Sequence, residues 1–187
     1  MGIVLAQTQG AVITDFDEIL PTGFYYVQGG SLNRPIHGAV YAAVINRSYD
    51  CVTVFTEDSD GGLARRRYNG SWGVWEYINP PMNLGVEYRT TERYLGKPVY
   101  VKAIDFGALP NATQKIVQYG DDTTRTIRAC AVDNHGEIIS GGTGYVQNFT
   151  QWLAMSTDNN KVGISCAGDA TDRTGCIVTV WYYKTTD

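Results

Sequence analysis

The candidate acids of this 187-residue chain are Asp121, Asp122, Asp169 and Asp172, and its candidate bases are His37 and His135. A carboxylate pair at the right separation hydrolyses glycosidic bonds. A histidine beside a serine makes a nucleophile. The setting of these residues argues against both. The aspartates sit in "GDDTT" and "AGDATDRTG", turn-like segments where carboxylates bind their own backbone. His37 lies in the loop "RPIHG" and His135 in the tight turn "DNHGE". In a trimer, three copies of either histidine could also meet on the axis. The cysteines Cys51, Cys130, Cys166 and Cys176 form no C-x-x-C pair and stand far from both histidines, so no zinc spacing exists. They read as free, mostly buried thiols, although Cys166 and Cys176 could be joined across a hairpin. "SGGTGY" (Ser140–Tyr145) lacks the Lys-Ser/Thr ending of a phosphate loop. The sequence therefore predicts no catalytic residue, no metal and no cofactor.

Binding is the better prospect. Sugar recognition combines an aromatic platform with planar polar groups, and loops at the end of a β-sandwich supply both. "GGTGYVQNFTQW" offers Tyr145, Asn148 and Trp152; "AGDATDRTG" offers Asp169, Asp172 and Arg173. Each has a plainer reading: core or interface aromatics for Tyr145 and Trp152, a solvated turn for the other segment. A second aromatic cluster, "RRRYNGSWGVWEYI", holds Trp72 and Trp75. In a regular strand the i, i+3 spacing sends these to opposite faces, so at least one is expected to be structural. Arg65, Arg66 and Arg67 make no basic stripe for nucleic acid and read as a solvated strand edge.

The elements that must position these residues are strands. Gly (21), Tyr (13), Thr and Val are abundant, and the chain is 43% hydrophobic with net charge -4. That suits pleated, half-buried surfaces joined by tight turns. "GFYYVQ", "GAVYAAVIN", "CVTVFTE" and "LARRRYNG" are strand-like runs between turn signals. One helical turn is expected at "TDFDEIL", with Thr14 as N-cap and Pro21 as stop. "INPPMNLG" breaks the pattern and reads as a boundary. Beyond it, "KPVYVKAIDFG", "TIRACAVDN", "KVGISCAG" and "CIVTVWYYK" alternate as strands of a β-sandwich. In the last of these, Ile177, Thr179, Trp181 and Tyr183 face one way, and Val178, Val180 and Tyr182 the other. Both faces are largely apolar, so the strand is expected either to lie central in a sandwich with one face under a loop or, as the favoured reading, to meet another subunit. The start "MGIVLAQTQG" has neither the basic segment nor the apolar length of a signal peptide or membrane span.

Two stretches resemble known families. "DFDEILPTGFYYVQGGSLNRP", closing with "RRRYNGSWGVWEY", resembles the pyocin-knob domain of phage tail fibres and phage-tail-like bacteriocins. "EYRTTERYLGKPVYVKAIDFGALPNATQKIVQYG", with the ending "VTVWYYKTTD", is similar to a C-terminal domain of phage tail-fibre and receptor-binding proteins. Members of the latter often carry His-Gly where this chain has Tyr119-Gly120. The resemblance implies an all-β chain: a small antiparallel knob-like domain over residues 1–80, a connector over 81–98, and an antiparallel receptor-binding β-sandwich over 99–187. It further implies a homotrimer at the tip of a tail fibre, non-enzymatic, adhering to a bacterial surface glycan or protein. The partners implied are further copies of itself, other tail components and the receptor, with no nucleic acid and no membrane insertion. The place implied is the virion tail, assembled in the host cytoplasm. The competing expectation is a structural trimerisation tip or carbohydrate-binding module; a polysaccharide depolymerase is a third.

Overall fold

The computed structural model describes residues 11–35, 38–48, 50–134, 136, 138–140, 146–148 and 151–187, with residues 138–140, 146–148, 151–156 and 158 described by their backbone alone. Every regular element among them is a strand. The chain forms two compact units, Met1–Pro81 and Met82–Asp187.

The first unit is a single sheet. Its strands are β1 (Val12–Asp15), β2 (Gly23–Leu32), β3 (Tyr41–Ser48), β4 (Cys51–Glu57), β5 (Leu63–Tyr68) and β6 (Glu76–Asn79), neighbours in chain order. β1 joins β2 in parallel, and the remaining pairs are antiparallel. Period-two alternation gives the sheet one buried face. Tyr25 and Val27, Ala42 and Val44, Val52 and Val54 pack there with Ile13 and Phe16. The β4–β5 turn is closed by Asp58, whose Oδ1 accepts the amides of Asp60 (2.9 Å) and Gly62 (2.7 Å). A Cβ on Gly62 would sit 2.2 Å from Asp58 Oδ2, so a larger residue there would displace the carboxylate that closes the turn.

Three expectations are corrected here. "TDFDEIL" forms no helical turn. Thr14 lies in β1, and Asp15 closes a tight turn by accepting the Asp17 amide at 2.9 Å. The Asp side chain offers the backbone this alternative to a helix. The arginine-bearing strand is no sheet edge, because β5 lies between β4 and β6. The segment 81–98 is not merely a connector. It holds β7 (Glu87–Tyr94) and the first residues of β8 (Lys97–Gly107), which pair as a hairpin through Leu95 and Gly96. Both turn residues have positive φ (49° and 80°), as the favoured two-residue hairpin turn demands.

The second unit has two sheets. One orders β7, β8, β15 (Cys176–Lys184), β10 (Thr124–Val132) and β11 (Ile138–Ser140); the other orders β12 (Val146–Asn148), β13 (Gln151–Asp158), β14 (Lys161–Cys166) and β9 (Gln114–Gln118). Tyr100, Ile104 and Phe106 from β8 and Val178, Val180 and Tyr182 from β15 share a core with Val162, Ile164 and Cys166 from β14. β10 contributes small residues, Ala129 and Ala131, leaving room for the tyrosines. All four cysteines are free thiols, with Cys51 and Cys130 half-buried. Cys166 and Cys176 lie on strands of different sheets, not across a hairpin. Burial pushes the Cys176 thiol up to about 11, with the nearby Asp133 adding to the shift.

Candidate functional site

The loop residues singled out in the sequence have separate fates. Tyr145 lies outside the described residues, as do His37 and His135. Asn148 and Trp152 fall in β12 and β13, where Trp152 pairs with Gln147, but their side chains lie outside the described ones. Asp169 closes its own turn: Oδ1 accepts the amide (3.0 Å) and the hydroxyl (2.8 Å) of Thr171, which holds its carboxyl below the usual range. Asp172 is exposed, and its carbonyl accepts from Asn134 Nδ2 at 3.4 Å. Arg173 is corrected from ligand candidate to structural residue. It is buried, and its Nη1 pairs with the buried carboxylate of Asp133 at 2.9 Å. A guanidinium turned inward onto a carboxylate it must neutralise is not offered to a surface ligand. Asp121 resembles Asp169, accepting from Thr123 and Thr124 within its own turn. Among the described residues no cluster of three metal-ligating side chains occurs.

Trp72 and Trp75 stand on the same side of the sheet, which corrects the opposite-face expectation. Residues 73–75 are not in a strand, and the chain passes Gly73 with its amide bonded to the Arg67 carbonyl at 2.9 Å. The Arg66 guanidinium lies 5.1 Å from the Trp72 ring and 5.8 Å from the Trp75 ring. It also pairs with Asp17 at 2.6 Å. The Trp72 indole donates to the Asp17 carbonyl and the Trp75 indole to the Asn33 carbonyl, each at 2.8 Å. This cage ties the β1–β2 loop at Asp17 and the turn after β2 at Asn33 to the β5–β6 loop, so both tryptophans are structural. Arg65 is occupied as well, donating from Nε and Nη2 to Glu76 Oε2.

The opposite face of the same sheet presents aromatic rings outward. Phe24, Tyr26 and Tyr41 are 64%, 54% and 61% exposed, and Phe55 is half-buried. Tyr26 and Tyr41 are Cα partners with ring centroids 6.3 Å apart in an edge contact. With Ala43, Glu57 and Leu63 these residues line a recess of about 430 Å³. Sequence reasoning missed it. The available signal was the run "GFYY", which places aromatics on both faces of one strand, so that one set must stay outside the core.

The second unit presents a different outward surface. On β15 the residues Val178, Val180 and Tyr182 are fully buried, whereas Ile177 is 41% exposed and Thr179, Trp181 and Tyr183 are half-buried. Arg128 lies 4.5 Å from the Trp181 ring, and Tyr183 stacks on Tyr94 at 5.6 Å. Tyr119, of the Tyr119-Gly120 pair, is a core residue. Its ring packs 5.4 Å from Tyr182, and its hydroxyl meets Thr126 and donates to the Asn159 carbonyl at 2.8 Å.

No known family model matches the sequence, and no curated protein matches it. Two solved structures are similar. One is the P. aeruginosa R1 pyocin fiber comprising C-terminal residues 323–701, 12% identical, with 92% of this chain and 65% of that chain covered at a TM-score of 0.30. The other is the N-truncated R2-type pyocin tail fiber, 9% identical, with 93% of this chain and 96% of that chain covered at a TM-score of 0.31. The chain thus spans less than two thirds of the first structure.

Proposed function

We propose that this chain is the receptor-binding end of a phage tail fibre or phage-tail-like bacteriocin fibre, acting by adhesion to a bacterial surface glycan and not by catalysis. Its partners are two further copies of itself, the rest of the tail and the receptor; its place is the tail of an extracellular particle assembled in the host cytoplasm. The reading rests on the two sequence resemblances. The observation that carries it is the two-faced strand β15. Its inner residues Val178, Val180 and Tyr182 fill the sandwich core, while Ile177, Trp181 and Tyr183 leave an apolar outer face short of full burial. Arg128 and Tyr94 of the same chain cover part of this face, and a three-fold assembly would bury the remainder. Three weak sites held together then act with a joint avidity far above that of one.

Sedimentation equilibrium at micromolar concentration tests the assembly. The expected mass is three times 20.6 kDa. Trp181→Glu should return the chain to monomer with its far-ultraviolet dichroism unchanged. A strictly monomeric wild type would refute the trimer.

A further inference from the structure

The outward face of the first unit's sheet constrains what it can hold. Across three strands, Phe24, Ala43 and Phe55 form one row of Cα partners. At this row, two rings therefore flank a β3 position that bears only a methyl group. With neighbouring strands about 4.8 Å apart, the flanking strands stand about 10 Å apart, a slot with Ala43 as its floor. The next row is Tyr26, Tyr41, Glu57 and Leu63, which sets two phenol hydroxyls and one carboxylate beside the slot. The recess, about 430 Å³, lies within the range of ordinary ligand pockets.

These features select a chemistry. Ring walls favour a ligand with a flat C–H face. Hydroxyls and a carboxylate at one side favour a ligand that also bears O–H donors, and a plain hydrocarbon chain would strip them of water with no return. An anion would meet Glu57. The guanidinium of Arg65, the Cα partner of Phe55, is already held by Glu76. We infer that this recess binds a neutral hexopyranose unit of a surface polysaccharide, its C–H face against the rings of Phe24, Tyr26, Tyr41 or Phe55 and its hydroxyls toward Glu57 and the tyrosines. The inference shares its ligand class with the reading above but places the site on the first unit, with none of the candidate residues Tyr145, Asn148, Trp152, Asp169, Asp172 or Arg173 in it.

The test applies full-length wild type, Tyr26→Ala, Tyr41→Ala and Ile116→Ala to an array of purified bacterial polysaccharides, with circular dichroism to confirm folding. Ile116 is an exposed residue of β9 in the other unit and serves as the control. The expected result is binding of one or more neutral polysaccharides, weakened roughly tenfold or more by either tyrosine variant and unchanged by Ile116→Ala. Binding that survives both tyrosine variants, or binding to no polysaccharide, overturns the inference. If Tyr41→Ala instead lowers the sedimenting mass, the face is a contact between copies and the inference also falls. Labelling of whole cells that persists in both tyrosine variants would overturn the recess and leave the adhesion reading standing.

Discussion

The two units place their aromatic side chains differently. The first turns Phe24, Tyr26 and Tyr41 outward on one face of its sheet, while Phe16, Tyr25 and both tryptophans pack against the other. The second keeps three tyrosines at its centre. Tyr100, Tyr119 and Tyr182 stack within the sandwich core, Tyr100 and Tyr182 at 5.8 Å, with the Tyr182 hydroxyl donating to Glu87 and Lys184 completing the pair at 2.7 Å. Charged groups divide the same way. The first unit uses a guanidinium near its surface to clamp two indoles and two loops. The second buries an Arg–Asp pair to hold the loop before β15. Buried rings supply stability, whereas the outward rings are the ones the proposed recess would use.

The largest effect should come from the buried pair. Arg173→Met leaves the Asp133 carboxylate buried, and the second unit should lose about 3–5 kcal/mol in a denaturant titration. A ligand residue at the surface would show no such loss. In the first unit, Arg66→Met removes the cation between the tryptophans, but Asp17 is partly solvated and regains water. The expected cost is smaller, about 1–2 kcal/mol, read from the same titration. An equal cost for the two variants would erase the contrast.

Alkaline pH should separate the units next. Burial raises Cys176 from its ordinary 9.0 to about 11 and Tyr100 from 10.0 to about 12, and raises Tyr88, Tyr119 and Tyr182 as well. In the first unit, burial raises Tyr25. An acid whose folded pKa is raised adds stability that is complete below its ordinary value and is lost as pH rises through the folded value. The second unit should therefore weaken between about pH 9 and 12. Hydrogen exchange read by peptide should show its protection falling before that of the first unit. The smallest effect is a gain. Leu95, 82% exposed at positive φ, makes no use of its side chain, and Leu95→Asn should stabilise the β7–β8 hairpin by about 0.5–1 kcal/mol in thermal unfolding.

Much of the scaffold was legible because period-two alternation survives in this sequence. "KPVYVKAIDFG" and "CIVTVWYYK" are β8 and β15 at those residues, with the inward set of the latter as the pattern indicates. Alternation tells which residues share a face but not which face a second layer covers. That is why the outward Phe24, Tyr26 and Tyr41 were not singled out while the tryptophans were. The Trp72–Trp75 reading assumed a regular strand, and a glycine-containing loop broke the rule. Arg173 sits among turn residues, and nothing local to "TDRTG" announces Asp133 as its partner, 40 positions earlier.

The most direct test of adhesion is to label the intact chain fluorescently and measure its binding to a panel of bacterial strains, with each strain's purified surface polysaccharide as competitor. The account predicts saturable labelling of at least one strain, displaced by that strain's own polysaccharide. Labelling of no strain, or labelling that its polysaccharide leaves untouched, would contradict it.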